Sequence, residues 1–424
     1  MLGFVGLIFV VIGLVHFYLW KRLVKDTLRK GRARRIGTVL MVALAVLLPA
    51  TLIGSRTLHV TWQAWPGYLW LALMFYLLVT LLLLEVPRLV MLVLWRIRRR
   101  PPAAATVATA AGKGAEATAG TTLTAIEGED GAIATAAPEP GVAEPGDSRP
   151  GIERRLVLAR GMAIFAGLTA AGVTGYGVKT ALGAPRLDRV QLPIAKLPRA
   201  MDGTRLAVVS DIHLGPLTGT RHATRIVDLI NSVQADIVCV VGDLVDGSVA
   251  ELGRFAAPLA DIESRHGAFF VTGNHEYYSG YGEWVEEVAR LGVRPLRNER
   301  VEINGLDLAG VNDLGGVDFG DAPDFRRALG GRDSARPVVL MAHQPVAAVD
   351  AAPYGVDLQV SGHTHGGQMA PFNLVVKLQQ PVVSGLGTVD GVPVYVTNGA
   401  GWWGPPVRVG APPQVSVIEL RATQ

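Results

Sequence analysis

The sequence predicts a group of N-terminal transmembrane α-helices followed by an α/β domain. Three observations predict it: four long apolar runs lie within the first 180 residues, cations cluster at their ends, and from about Arg205 short β-branched runs alternate with amphipathic stretches. Half of the 424 residues are apolar and the mean hydropathy is +0.33, which suits bilayer-embedded segments joined to a folded domain.

Residues 1–20 (MLGFVGLIFVVIGLVHFYLW) and 36–55 (IGTVLMVALAVLLPATLIGS) are each long enough to cross a hydrocarbon core as a helix. A third run, from about Gly67 to Trp95, carries Glu85 and Pro87 near its end. These make three transmembrane helices within residues 1–100. A fourth, within 154–180, has its apolar part from about Gly161 to Val178.

The loop KRLVKDTLRKGRARR holds eight basic residues and one acid, and the third run ends in RIRRR, Arg96 to Arg100. Arg154, Arg155 and Arg160 precede or open the fourth. Cations of this kind mark cytoplasmic ends. The expected protein is therefore multi-pass in the cell membrane, with everything after about residue 180 extracytoplasmic. Trp62, Trp65, Tyr68 and Trp70 gather where the third span begins, as interfacial aromatics do. The Arg154-Arg155 pair, apolar stretch and small-residue ALGA also resemble a twin-arginine export signal; the three preceding spans favour a retained tether.

Residues 101–153 begin with a long tract of Ala, Thr, Gly, Pro and Glu without periodicity. Such a tract buries too little apolar surface to offset chain entropy, so a disordered cytoplasmic linker is expected. The net charge of +4 divides into +10 over residues 1–185 and −6 over 186–424. The acidic C-terminal part lacks the basic footprint of a nucleic-acid binder, and no nucleic acid is expected as partner. The single cysteine, Cys239, lies in the apolar run DIVCVVGD and reads as a buried strand residue.

Within 186–424, RLAVVSD, ADIVCVVGD, GAFFVTGN, PVVLMAH and VDLQVSGH each read as a buried strand ending in polar residues. GTRHATRIVDLINSV and GEWVEEVARLG between them read as helices, so the sheet pairing should be largely parallel. Ligands of such sheets bind beyond the strands' carboxyl ends. Those ends supply, in order, Asp211 and His213, Asp243, Asn274 and His275, His343, and the pair His363 and His365 in SGHTHGG. Five of the nine histidines are among them. Carboxylate, imidazole and amide donors without thiolate suit Mn, Fe or Zn, and seven or eight such groups exceed the needs of one ion. Two ions sharing a bridging ligand would polarise a phosphoryl oxygen and lower the pKa of a bridging water.

In the order D-x-H, G-D, G-N-H-E, H, G-H-x-H, these fragments resemble the signature of calcineurin-like metallophosphoesterases, over roughly residues 200–400. The segment YVTNGAGWWGPPVRVGAPP further resembles the family's membrane-linked bacterial branch. The resemblance implies a metallophosphoesterase domain over 186–424, folded as a four-layer αββα sandwich. It also implies two divalent or trivalent metal ions. By the same resemblance, Asp211, His213 and His365 hold the first, Asn274, His343 and His363 hold the second, and Asp243 bridges them. A metal-bridging hydroxide attacks phosphorus in line, and His275 assists the leaving group.

The expected activity is hydrolysis of phosphate esters, phosphodiesters foremost, with the bilayer as partner and a lipid-linked, amphiphilic substrate as an extension. The Trp402-Trp403 pair either rests at headgroup level or packs a sheet edge. Arg408 is a candidate for neutralising a substrate phosphate, the alternative being a structural salt bridge. Glu276, Asp246 and Asp313 read as exposed loop carboxylates, the alternative being groups that support the metal ligands, and His222 and His266 read as surface residues. A metallo-β-lactamase reading fails on Gly366-Gly367, where that family has Asp-His after its histidine pair. A non-catalytic membrane sensor or scaffold is the other alternative, but no ligand of the expected set is missing.

Overall fold

The structure is a computed structural model that describes residues 2–57, 64–97, 150–215 and 217–423. The expected linker at 101–149, together with Trp62 and Arg98–Arg100, lies outside the described residues. Pro150 to Glu153 form the first turn of a helix.

Among the described residues, four α-helices precede the α/β domain: α1 (Leu2–Leu19), α2 (Arg32–Thr57), α3 (Ala64–Ile97) and α4 (Pro150–Leu182). Among the described residues, the stretches Arg32–Gly54, Ala64–Ile97 and Glu153–Leu182 are long and apolar enough to cross a membrane. The first apolar run forms the 18-residue α1, at the short end of the spanning range. Outward-facing Leu14, Val39, Leu83 and Leu168 are all more than 60% exposed. Apolar side chains arrayed in this way fit a hydrocarbon surround and not water.

Several polar groups inside the bundle are paired, while the Tyr76 and Thr174 hydroxyls are buried without a hydrogen-bond partner among the described residues. Arg22 and Arg88 lie 2.7 and 2.8 Å from the Glu85 carboxylate, which also accepts from the Tyr18 hydroxyl at 3.0 Å. Trp70 Nε1 donates to His16 Nε2 at 3.1 Å. Leaving any of these unpartnered within the bundle would be costly, which explains why they occur as a set.

The C-terminal domain is built on two six-stranded sheets. The first runs β1 (Arg186–Ile194), β12 (Gln414–Ala422), β2 (Arg205–Val209), β3 (Ile237–Val241), β4 (Ala268–Val271), β5 (Val293–Pro295). The second runs β10 (Gly385–Val389), β11 (Val392–Val396), β9 (Leu358–Ser361), β8 (Val338–Met341), β7 (Leu306–Gly310), β6 (Glu299–Ile303). Pairing is parallel through β2–β5 and through β11–β9–β8–β7, so the predicted pairing holds. It is antiparallel where β12 meets β2, β10 meets β11 and β6 meets β7.

Between the sheets, Val208, Cys239, Val241 and Val271 pack with Leu308, Val339, Met341 and Val360 in one apolar core. Cys239 is buried there, as expected. The outer face of the first sheet is covered by α5 (Thr220–Ser232), α6 (Val249–Ala256) and α8 (Tyr281–Arg290), with Trp284 fully buried; the short α7 (Asn274–Tyr278) precedes α8. The second sheet is covered by α9 (Phe325–Leu329) and α10 (Ala348–Ala351). Helices, sheet, sheet and helices make the four layers expected. Both parallel strand sets are apolar on two faces, and only a sandwich of this kind buries both.

The domain meets the bundle at one end. Met369 and Val407 share a buried cluster with Trp70 and Met74 of α3 and Ala170 of α4. Phe372 lies edge-on to Phe75, and Arg408 N donates to the Gly177 carbonyl of α4 at 2.9 Å. A further short helix, α11 (Asn373–Val376), follows at this junction. The cationic ends of α3 and α4 lie at the far end of the bundle, a consequence of helix direction alone.

Candidate metal centre

All the predicted polar residues arrive at the carboxyl ends of β2, β3, β4, β8 and β9. The loops that carry them turn sharply. Asp211, His213, Asp243, His363 and His365 all take positive φ, between 49° and 69°. That region is unfavourable for residues with a Cβ, and such concentrations mark sites where the surroundings over-determine the backbone. Gly242 (φ 74°) shows the crowding: a Cβ there would come within 2.6 Å of Gly273 N and 2.7 Å of His343 Nδ1. At Gly362 it would strike Ser210 Oγ and Asp211 Oδ2.

The structure brings the ligand candidates together as two groups. Asp211, His213 and His365 offer donor atoms within 4.8 Å of one another, as do Asp243, His343 and His363. His213 links to Asp243 and His275 in a third such group. His213 Nε2 and His365 Nε2 face each other at 3.0 Å, and His365 Nε2 lies 3.3 Å from Asp211 Oδ1. Asn274 Oδ1 is 3.0 Å from His363 Nδ1, and His343 Nε2 is 3.1 Å from Asp243 Oδ2.

These residues fit a metal pair by their donor chemistry. His343 Nδ1 is held by the Val241 carbonyl at 2.8 Å, which turns its buried Nε2 toward Asp243 and the cluster. His213 Nδ1 is held by Asp246 Oδ1 at 3.0 Å, which likewise leaves Nε2 to face the cluster. An imidazole anchored through one nitrogen by an oxygen acceptor presents the other as a lone pair, the arrangement metal-ligating histidines use. Burial, with His343 beside it, pushes His363 down to about 3, and burial beside Arg408 holds His365 well below the usual range. Both imidazoles are held neutral, as ligands must be. At His343 burial opposes charge, but Asp243 outweighs it and holds the ring well above its ordinary value, so a metal there would displace a proton. Burial opposes charge on Asp243, but His343 and His275 outweigh it and hold the carboxyl well below its ordinary value.

Two carboxylates expected on the surface belong to this site instead. Glu276 is fully buried and accepts from the backbone N–H groups of Asp243, Leu244, Val245 and Gly273, at 2.6 to 3.3 Å. It fastens the loop after β3 to the loop after β4. Asp246 is mostly shielded, and its Oδ1 holds both His213 Nδ1 and His275 Nδ1. The third, Asp313, is also buried and accepts from Gly315 N and Gln344 Nε2. The sequence signal for Glu276 and Asp246 was proximity to a ligand motif, which a loop reading discounted; Asp313 lies far from every motif in the sequence.

His275 lies at the rim, with Nε2 4.0 Å from Asp243 Oδ2. Burial disfavours its charge, but Asp243 and the bond to Asp246 prevail and push its pKa up to about 9. Tyr278 and Trp403 both stand edge-on to its ring at 5.9 Å. Trp403 is half exposed, while Trp402 is buried against His222. The tryptophan pair is thus split between rim and core. His222 is buried too, not a surface residue, because α5 turns it inward; His266 is half-buried beside Asn304.

Arg408 does not present itself to a substrate. It is fully buried, and its guanidinium donates to the carbonyls of Gly401, His365, Asn398 and Ala411 and approaches His365 Nδ1 at 3.1 Å. Full burial among backbone carbonyls argues against the expected contact with substrate, and Arg408 forms no carboxylate salt bridge among the described residues. Its work is to hold the backbone and ring of His365.

The family described as "Calcineurin-like phosphoesterase" matches residues 204–367. A Danio rerio "Transmembrane protein with metallophosphoesterase domain" is 36% identical over 260 residues, covering 58% of this chain and 60% of that protein. An "Uncharacterized metallophosphoesterase" of Helicobacter pylori strain J99 is 36% identical over 248 residues, covering 58% and 66%. Another of that name, from Aquifex aeolicus, is 33% identical over 246 residues, covering 56% of this chain and 92% of its own length. The chain belongs to the calcineurin-like phosphoesterase family, and its apolar helices fit the membrane-linked branch. It spans less than two thirds of the length of the Danio rerio and Helicobacter pylori relatives.

Proposed function

We propose that this protein is a membrane-anchored, two-metal phosphoesterase that cleaves phosphodiesters, with lipid-linked phosphates as its preferred substrates. The observation that carries the reading is the convergence of two buried donor groups, Asp211–His213–His365 and Asp243–His343–His363, within one pocket of a phosphoesterase fold. Asn274 completes the second group, with Asp243 between the two. When bound, a pair of Mn, Fe or Zn ions supplies Lewis acidity toward a phosphoryl oxygen and activates water at neutral pH. The protein's own residues do the rest. Asp246 and Glu276 hold the loops and rings in place, and His275, anchored through Nδ1, turns Nε2 toward the pocket to protonate the leaving oxygen.

Three features support a lipid substrate. The pocket rim carries the exposed Trp403 and Tyr278, and Gln368 binds Trp403 through both backbone groups at 2.9 and 3.0 Å. The adjacent segment exposes Phe372, Leu374, Val375 and Leu378, which is 87% exposed. Phe372 touches α3, so this apolar edge continues the surface of the spanning helices. The cationic helix ends lie at the opposite end of the bundle, and by the positive-inside rule this supports an extracytoplasmic catalytic domain. Buried Ala166 and Ala170 of α4 support a retained fourth helix.

The test is a panel of phosphate esters offered to the full chain in nanodiscs. A lipid phosphodiester should be cleaved faster than a soluble aryl phosphodiester, and Trp403→Ala with Leu378→Ser should narrow that ratio. Cleavage of the soluble ester alone would sink the lipid reading. Labelling of Glu263→Cys in intact cells by an impermeant maleimide tests orientation, since native Cys239 is buried; no labelling would contradict it.

A further inference from the structure

A second cavity, of about 890 Å3, opens at the end of the helix bundle away from the His/Asp cluster. It lies between the turn after α1, the last third of α3 and the first turns of α4. Leu89, Leu92, Val93 and Leu156 form its apolar wall. Lys25, Arg29, Arg88, Arg96 and Arg155 line it as well, against one carboxylate among the described residues, Asp26.

That carboxylate is taken by Arg22 at 2.9 Å, and Arg88 is held by Glu85 at 2.8 Å. Among the described residues, Lys25, Arg29, Arg96 and Arg155 have no carboxylate partner. Four like charges around one hollow repel each other, more strongly beside low-dielectric helix than in open water. An anion relieves that repulsion, and the apolar wall selects one with hydrocarbon attached.

We propose that this cavity binds an anionic phospholipid of the cytoplasmic leaflet. Its phosphate sits among Lys25, Arg29, Arg96 and Arg155, and its acyl chains run along Leu89, Leu92 and Leu156. Basic pockets between spanning helices at the cytoplasmic face are suited to such headgroups. The three segments that supply the cations are separate in sequence, so a bound lipid would join α1, α3 and α4 at their cytoplasmic ends.

The experiment is native mass spectrometry of the full chain in detergent, with phosphatidylglycerol, phosphatidylcholine and inorganic phosphate as probes. Phosphatidylglycerol should be retained at least tenfold better than phosphatidylcholine, and inorganic phosphate should not displace it. Leu92→Trp, which fills the wall and leaves every charge, should lower that retention about tenfold, as should the pair Arg96→Gln and Arg155→Gln. Arg186→Gln, a cation remote from the cavity, should change nothing. Equal retention of the two lipids by the native chain overturns the proposal, whatever the variants do. Displacement by inorganic phosphate assigns the site to a free anion and overturns it too. So does undiminished retention in a folded Leu92→Trp chain, or equal loss in Arg186→Gln.

Discussion

Asp246 Oδ1 lies 2.6 Å from His275 Nδ1. The same oxygen holds His213 Nδ1 at 3.0 Å. One carboxylate therefore sets the orientation of a candidate metal ligand and of the candidate general acid, and it ties the loops after β2, β3 and β4 together. Burial opposes its charge, yet His213 and His275 hold it well below the ordinary carboxylate range.

Asp246→Asn keeps the size of the side chain and weakens both bonds. Losing a partner that orients a metal-bound histidine costs ~10–100-fold in affinity or activity. We expect a loss of that order in kcat with the fold intact by circular dichroism. Wild-type rates in the variant would show that the carboxylate only packs the loop.

Arg408 acts on stability and on His365, not on substrate affinity. Arg408→Met leaves buried carbonyls without donors, at about 1–3 kcal/mol for each that finds no water. The measurement is a thermal midpoint with kcat and KM on a soluble phosphodiester. Arg408→Lys should lower the midpoint and metal content while KM holds within about twofold. A large rise in KM at unchanged midpoint would restore the phosphate-binding role.

His222 gives the domain a pH dependence away from the metal centre. Burial, with Arg225 nearby, lowers its pKa from 6.5 to about 4. Because the folded value is the lower one, the unfolded chain takes the proton first. Stability is full above pH 6.5 and declines toward pH 4, by about 3 kcal/mol from this group. His222→Phe should flatten that part of the midpoint-against-pH curve. An unchanged slope would mean that other groups carry it.

The sequence was informative where one local rule decided the outcome. Strands β2, β3, β4, β8 and β9 are short apolar runs ending in a polar residue, and every metal-ligand candidate stands at such an end. It was less informative where distant segments cooperate. Glu276 looks like a loop acid until four N–H groups from two loops are seen to meet it. The role of Arg408 depends on carbonyls of residues 365, 398, 401 and 411 folding around one guanidinium. The edge strands β6 and β10 are half-polar and short, and their pairing is settled by neighbours and not by their own pattern. The inward turn of His222 likewise follows from how α5 sits on the first sheet.

The most direct test of the two-metal reading is metal content measured with hydrolysis on the same preparation. The full chain in detergent should bind two equivalents of Mn, Fe or Zn and cleave an aryl phosphodiester, losing activity with chelator and regaining it on reloading. Asp243→Asn and His363→Ala should each abolish hydrolysis, with metal content reduced and the fold retained. A chain that binds no more than one ion, or that remains active after either substitution, would contradict the account.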